Sequence, residues 1–241
     1  MNEFDVLSNF YDRLMSYNGI DEWIGYVVNT IKRHLKKGQE SYYGVDIGCG
    51  TGTFTRALVS AGLNTVGVDT SLNMLNRAVE KGGEYVMQSI TGLKGFTGLD
   101  FAVAINDVIN YVPHAKLIKA FESVYSSLKK GGVFLFDIST EFKFREIIAD
   151  NLFSEDDEEV TYLWFNKLCK RSVKMDLTYF IKGENGLYDR LDESFTEYIY
   201  SQEEIIKALE TVGFKVKAIK GHLGAKATEK SERLNFIAIK I

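Results

Sequence analysis

The sequence predicts an α/β fold with a doubly wound, mostly parallel sheet and an antiparallel β insertion after its fifth strand. Between residues 20 and 140, apolar segments of strand length alternate with segments of helical periodicity, which is typical of a parallel sheet flanked by helices. After about residue 155 the period changes to two, as in an antiparallel strand with one buried face. The chain has 241 residues, 45% of them hydrophobic, which is enough for a large core.

The elements of the alternating part follow one another in a regular order. A helix with apolar positions from Ile24 to Leu35 precedes a strand at 42–47 that runs into glycines. The next strands are predicted at 65–68, 85–87, 101–105 and 133–137. The helices before the third and fifth strands are expected to end at Gly82-Gly83 and Gly131-Gly132, because glycine commonly terminates a helix.

The insertion is predicted from an alternation of apolar and polar residues. Apolar side chains occupy every second position over 173–181, and the Asn185-Gly186 pair that follows is a hairpin turn sequence. With the flanking segments 161–166 and 195–200, the pattern indicates three or four antiparallel strands. The acidic run 155–159 is expected to be a solvated connector.

The alternating pattern resumes after the insertion. Ser201 and Glu204 have the spacing of a capping box at the start of a helix, and two apolar strands complete the sheet. We therefore predict a main domain formed by residues 1–150 and 201–241. Residues 151–200 are predicted to form an inserted antiparallel β subdomain that shapes the substrate site.

The composition excludes several classes of protein. The 29 basic and 33 acidic residues give a net charge of −4, so no overall positive field attracts nucleic acid, and we expect no DNA partner. Two cysteines and three scattered histidines form neither a disulfide framework nor a metal-ligand spacing, so no metal is predicted. The sequence has no membrane-length apolar run, and we expect no signal peptide, because acidic residues stand where a basic start and an apolar run would be needed. We expect a cytoplasmic monomer or homodimer without a membrane partner.

A glycine-rich turn connects the first strand with the next helix. Gly48, Gly50 and Gly52 stand directly after the strand that contains Asp46. Glycine lets the backbone approach a ligand closely, and the N–H groups at a helix start can bind an anionic group. Asp69 ends the second strand, where a carboxylate can accept hydrogen bonds from both hydroxyls of a ribose. Together these features predict a binding site for a nucleoside cofactor.

The glycine spacing distinguishes between cofactors. A dinucleotide fingerprint needs a third glycine at position 53, where this chain has Thr53. The spacing G-x-G-x-G after an acidic residue, here Asp46, resembles the first motif of the class I S-adenosylmethionine-dependent methyltransferases. Segments 66–69 and 131–137 are similar to later motifs of that family, so the resemblance extends over nearly the whole chain. It implies a Rossmann-like fold for the main domain and S-adenosylmethionine as the cofactor.

The resemblance implies roles for individual residues. Gly48, Gly50 and Gly52, with Cys49 between them, are expected along the methionyl part of the cofactor, and Asp69 is expected on the ribose. The residues expected around the adenine are Thr70, Met74, Ser89 and Ile90. The family often has an acidic residue after the third strand, where this chain has the neutral Ser89.

The segment after the fourth strand, 106–111, resembles the D-x-x-N-Y pattern of bacterial small-molecule methyltransferases that carry an antiparallel insertion. Asn106 and Asp107 are therefore expected at the cofactor. That subgroup begins with a Tyr-Asp pair, as this chain does, and Tyr11 is expected to fold over the cofactor. The candidates for a catalytic base are Tyr111, Asp107 and His114, in that order, although His114 also fits an ordinary surface histidine at a helix start.

The predicted function is methyl transfer to a nitrogen or oxygen of a small molecule. The aromatic residues of the insertion fit either a substrate pocket or strand packing; they are Tyr162, Trp164, Phe165, Tyr179 and Tyr198. The first alternative is an RNA methyltransferase, for which a basic surface is available at Lys167, Lys170, Arg171 and Lys174. The others are an NAD(P)-dependent oxidoreductase and a cofactor-binding protein without catalysis.

Overall fold

The computed structural model of the chain describes residues 19–35, 37–156, 158, 160–183 and 185–241. Its strands are β1 (Tyr43–Ile47), β2 (Asn64–Asp69), β3 (Glu84–Met87), β4 (Leu99–Ala104), β5 (Leu128–Ser139), β6 (Leu152–Asp156), β7 (Val160–Leu168), β8 (Ser172–Lys182), β9 (Tyr188–Tyr198), β10 (Phe214–Lys220) and β11 (Arg233–Lys240). Its α-helices are α1 (Ile20–His34), α2 (Thr53–Ser60), α3 (Leu72–Glu80), α4 (Leu117–Ser127) and α5 (Gln202–Val212). None of these helices is long and apolar enough to cross a membrane.

The larger sheet has seven strands in the order β10-β11-β5-β4-β1-β2-β3. Strands β1 to β5 pair in parallel, whereas β11 is antiparallel to both β5 and β10. The order reverses between β1 and β4, which is where open α/β sheets bind ligands beyond the carboxyl ends of their strands. The predicted mostly parallel, doubly wound sheet is therefore confirmed.

Both faces of this sheet are covered, and β4 at its centre is buried at every position. Alternate residues of β4 enter different cores: Ala102 packs with residues of α4 and α5, and Phe101 packs with residues of α1 and α2. At Gly44 on the neighbouring β1, an added Cβ would lie 2.2 Å from the Phe101 ring, so only glycine leaves room for that ring. Burial on both sides explains why β4 is a continuous apolar run in the sequence.

The smaller sheet consists of β6, β7, β8 and β9, all antiparallel to their neighbours. The predicted alternation is confirmed, because Val173, Met175, Leu177 and Tyr179 are buried on one face of β8. They pack with residues of β9 and of a π-helical turn at Lys143–Ile148. All four strands lie within the predicted insertion, residues 151–200.

Two boundaries differ from the prediction. Helix α4 ends at Ser127 rather than at the Gly131-Gly132 pair, because Leu128 already pairs with Leu99 of β4 and the glycines lie inside β5. The acidic run was predicted to be a connector, but Glu155 and Asp156 belong to β6 and pair with β7. Pairing between strands decides both boundaries, and the periodicity of a single segment does not reveal that pairing.

Candidate functional site

The glycine-rich turn lies at the carboxyl end of β1, beside the point where the strand order reverses. Gly48, Gly50 and Gly52 have φ angles of 69°, 53° and 79°, in the left-handed region that glycine adopts most readily. At Gly48, an added Cβ would lie 2.4 Å from a methyl carbon of Val108. The Gly48 N–H donates a 2.7 Å hydrogen bond to the carbonyl of Val68. The turn is thus held against β2 and against the loop that follows β4.

Asp69 is held beside this turn by two backbone donors. One carboxylate oxygen accepts from the N–H of Gly50 at 2.9 Å, and the other accepts from the N–H of Ser71 at 2.8 Å. Burial raises the pKa of Asp69, and these donors partly offset the effect. A carboxylate has lone pairs left for further donors, so the hydroxyls of a ribose can bind here as well.

A cavity of about 1070 Å³ extends from the glycine turn to the smaller sheet. Most of the predicted site residues line it: Gly48, Gly50, Asp69, Thr70, Met74, Ser89, Ile90, Asn106, Asp107 and Tyr111. The wall on the side of the smaller sheet includes Tyr162, Trp164, Leu177, Tyr179, Phe195 and Glu197. One cavity therefore joins the polar end of the parallel sheet to an aromatic surface of the insertion.

The loop after β4 has an unusual backbone that a charge network supports. Asn106 and Asp107 have φ angles of 72° and 65°, which few residues other than glycine adopt. Their N–H groups donate to the carboxylate of Asp137 at 2.7 and 3.1 Å. Arg233 forms ion pairs with the carboxylates of Asp107 and Asp137, and its guanidinium carbon lies 4.6 Å from the centre of the Trp23 ring. The strained turn is fixed by residues from three other elements.

The two carboxylates of this network differ in their ionisation. Burial alone would raise the pKa of Asp107, but the charges of Arg233 and Lys143 outweigh it and lower that pKa. Burial dominates at Asp137 and raises its pKa to about 6, despite the same arginine. Because a carboxylate with a lowered pKa is a weak proton acceptor, Asp107 is better suited to positioning than to general base catalysis.

The features around the turn fit S-adenosylmethionine. Gly48 and Gly50 line the cavity without side chains that would obstruct a methionyl group, and Asp69 has lone pairs for a ribose. Met74 and Ile90 are buried apolar residues that also line the cavity, which suits an adenine ring.

Comparisons with known proteins agree with this geometry. A family model described as a methyltransferase domain matches residues 45–132. The Geobacillus protein named "Putative methyltransferase GWCH70_2453" is 32% identical over 98% of this chain and 99% of its own length. The chain belongs to the S-adenosylmethionine-dependent methyltransferase family.

Two solved methyltransferases share the fold. A crystal structure of an S-adenosylmethionine-dependent methyltransferase from Clostridium acetobutylicum is 28% identical, with a TM-score of 0.87 over 98% of each chain. The structure of CalS10, an amino pentose methyltransferase from Micromonospora echinaspora with bound S-adenosylmethionine, has a TM-score of 0.76 over 96% of each chain at 16% identity. The predicted enzyme class, fold and cofactor of the present methyltransferase are therefore confirmed.

Four predicted site residues are not among those that line the cavity in the described part of the chain. Tyr11 lies outside the described residues. Gly52 precedes the first residue of α2, where an added Cβ would lie 2.2 Å from the hydroxyl of Tyr85. Cys49 is buried below the turn, and burial raises the pKa of its thiol, so the thiol stays protonated.

His114 is the fourth of these residues. Its Nδ1 lies 3.0 Å from a guanidinium nitrogen of Arg171, and its ring packs 4.4 Å from the ring of Tyr200. The turn that contains His114 therefore packs beside the start of α5.

The basic surface considered for RNA is partly neutralised, because Arg171 is paired with Glu204 and Lys174 with Asp176.

Asp46, the acidic residue of the first motif, is also buried behind the turn. It accepts a 2.6 Å hydrogen bond from the hydroxyl of Thr55 on α2, and burial raises its pKa to about 7. This hydrogen bond joins β1 to α2.

Sequence reasoning missed Glu197, Arg233 and Lys143, which all line the cavity. Glu197 accepts a 2.9 Å hydrogen bond from the hydroxyl of Tyr111. A signal for Glu197 was present, because it occupies a buried position of β9 between Phe195 and Ile199, where the alternation requires an apolar residue. No comparable local pattern marks Arg233 or Lys143.

Proposed function

We propose that this methyltransferase transfers a methyl group from S-adenosylmethionine to a nitrogen or oxygen of a small molecule. The observation that carries the proposal is the single cavity of about 1070 Å³, shared by the glycine turn and the aromatic wall of the insertion. Cavities of about this size bind small molecules, and the methyl donor and the acceptor must lie side by side in one site to react.

The two ends of the cavity have different proposed roles. Gly48 and Gly50 approach the methionyl group, with Cys49 and Gly52 shaping the turn from behind. Asp69 binds the ribose, and the residues proposed around the adenine are Thr70, Met74, Ser89 and Ile90. The inserted subdomain, residues 151–200, forms the acceptor wall. The proposed enzyme acts as a monomer or a homodimer.

The chemistry needs little from the protein beyond alignment. Methyl transfer from a sulfonium is an in-line displacement, and holding both reactants in that geometry contributes on the order of 7 to 11 kcal/mol. Asn106, Asp107 and Tyr111 also line the cavity, and their proposed place is between the two ends. If the acceptor is a hydroxyl, a nearby base becomes important. If the acceptor is an amine, a base need only remove a proton before or after the transfer.

The likeness to the amino pentose methyltransferase supports the shared fold alone, since the two chains are 16% identical. The choice of a small acceptor therefore rests on the shape and lining of the cavity. A cavity lined by aromatic side chains suits a small molecule better than a polynucleotide, which needs a positively charged groove.

Calorimetric titration with S-adenosylmethionine, S-adenosylhomocysteine and NADPH in parallel tests the cofactor site. We expect the first two to bind and NADPH not to bind. Release of S-adenosylhomocysteine is then followed with mixed small amines and alcohols, and separately with total RNA. Turnover with RNA alone would contradict the small-molecule proposal, and binding without any turnover would favour a non-catalytic role.

A further inference from the structure

The acceptor side of the cavity combines aromatic rings with a buried carboxylate. The acceptor lobe is defined here by Tyr111, Tyr162, Trp164, Tyr179, Phe195 and Glu197, which all line the cavity. Glu197 is only 7% exposed. Aromatic faces attract cations through their quadrupole, and a carboxylate adds a full negative charge when it is ionised. This chemistry favours a positively charged ligand group.

Two polar atoms of the lobe are buried without a hydrogen-bond partner among the described residues. They are the hydroxyl oxygen of Tyr179 and the indole nitrogen of Trp164. Tyr179 is fully buried, and its register partner on β7 is Tyr162, which also lines the cavity. Both atoms are shielded from the cavity, so the lobe offers a ligand its aromatic faces and the carboxylate of Glu197.

Tyr111 connects the carboxylate to the cofactor side of the cavity. Its hydroxyl donates to Glu197, and its ring packs 5.8 Å from the ring of Phe195. Tyr111 belongs to the short 3-10 turn Val108–Tyr111, which begins directly after Asp107. The side-chain amide of Asn110 in this turn donates to the carbonyl of Tyr198 at 3.0 Å and so ties the turn to the end of β9. Glu197 is thereby held where the acceptor lobe meets the proposed methyl-donor site.

The charges that face Glu197 come from several elements. Besides Tyr111, they are Asp107 after β4, Lys143 in the π-helical turn and Arg233 on β11. Asp107 and Arg233 are paired with each other, and Lys143 donates to the hydroxyl of Ser139 at 3.0 Å. The pKa of Glu197 is raised to about 8, mainly by burial and next by the charge of Asp107.

We propose that the acceptor lobe binds a small molecule through a protonated amino group, and that Glu197, hydrogen-bonded to Tyr111, takes the proton before methyl transfer. This inference rests on the proposed function and narrows its acceptor to an amine. The ammonium N–H bond breaks and its proton passes to a carboxylate oxygen of Glu197, which leaves a lone pair on nitrogen. That lone pair forms the new N–C bond while the C–S bond breaks, and its electrons remain on sulfur. The methylated amine carries the positive charge that the sulfonium loses.

Binding to the protein loaded with S-adenosylhomocysteine tests the inference without requiring turnover. The probes are three matched pairs: cyclohexylamine and cyclohexanol, benzylamine and benzyl alcohol, and glucosamine and glucose. We expect at least one amine to bind about tenfold or more tightly than its alcohol partner, because only the amine is charged. In Glu197→Gln this preference disappears.

Glu210→Gln is the control, because Glu210 is a residue of the same type at an exposed position of α5 and is not among the lining residues. It should keep the preference for the amine. The affinity of the wild type for the amine should rise with pH as Glu197 ionises around pH 8, and this rise should be absent in Glu197→Gln. Glu197→Asp retains the charge and should restore part of the preference if it folds.

The outcomes distinguish the amine inference from the proposed function. The amine inference is overturned if no amine binds, if amine and alcohol bind equally in every pair, or if Glu197→Gln keeps the preference. If thermal denaturation shows that Glu197→Gln is not folded, Tyr111→Phe replaces it. An unchanged pH dependence in Tyr111→Phe overturns the role of the Glu197–Tyr111 pair. Failure of the wild type to bind S-adenosylhomocysteine refutes the proposed function instead.

Discussion

The guanidinium of Arg233 holds the carboxylate of Asp107 through two parallel hydrogen bonds of 2.7 and 2.9 Å. The two residues are 126 positions apart, and each side chain is only about an eighth exposed, at 12% and 13%. Asp107 stands at the strained turn after β4, so the last strand of the sheet braces the loop that leads to Tyr111. The contact therefore fixes the loop that lies between the proposed cofactor end of the cavity and Tyr111, which hydrogen-bonds to Glu197.

Arg233→Gln should destabilise the protein by about 3 to 5 kcal/mol, because it leaves Asp107 and Asp137 buried without their cation. Urea unfolding followed by circular dichroism measures the change. Arg190→Gln serves as the control, since Arg190 is 62% exposed in its pair with Asp192 and should cost less than about 1 kcal/mol. Equal losses in the two variants would contradict a supporting role for Arg233.

Asp69→Asn should weaken S-adenosylmethionine binding by about 10- to 100-fold, because charge-assisted hydrogen bonds to the ribose are lost. Calorimetry measures the dissociation constant. Asp192→Asn removes the same charge from an exposed position of β9 and should bind the cofactor as the wild type does. An unchanged constant in Asp69→Asn would remove this residue from the proposed site.

Asp46 should make stability depend on pH between about 4 and about 7. Its pKa rises from the ordinary aspartate value of 3.8 to about 7 on folding, so in this range the folded state binds more protons than the unfolded state. Its contribution to stability is complete below the lower value and is lost as pH rises through the upper one.

Asp46→Asn should therefore flatten the decline of the free energy of unfolding across this range. Urea titrations at several pH values measure it. Part of the decline should remain, because the pKa of Asp137 is also raised, to about 6. A slope identical to that of the wild type would show that folding does not raise the pKa of Asp46.

Ser201→Ala should cost about 1 kcal/mol of stability by removing the amino-terminal cap of α5. In the structure, the Ser201 hydroxyl accepts from the N–H of Glu204 at 3.1 Å, and the Glu204 carboxylate accepts from the N–H of Ser201 at 2.9 Å. Ser126→Ala is the comparison, because the Ser126 hydroxyl bonds only within α4. Thermal unfolding should give a clearly lower midpoint for Ser201→Ala than for Ser126→Ala.

Local patterns predicted most of the fold. The capping box at Ser201 and Glu204 and the alternation along β8 involve residues that are close in sequence, and both were confirmed. The apolar run of β4 identified a strand covered on both faces. The boundary of α4 was wrong because the pairing of Leu128 with Leu99 joins residues from separate elements.

The sequence by itself determined the mostly parallel sheet, the antiparallel insertion, the glycine turn and the position of Asp69, since each depends on the spacing of neighbouring residues. Only the tertiary structure decided that Arg233 pairs with Asp107 and that Tyr111 reaches Glu197. The second pair is separated by 86 positions and the first by 126, and no local periodicity relates them. The physical reason is that such contacts depend on how strands order and twist within a sheet, which brings distant residues to one edge.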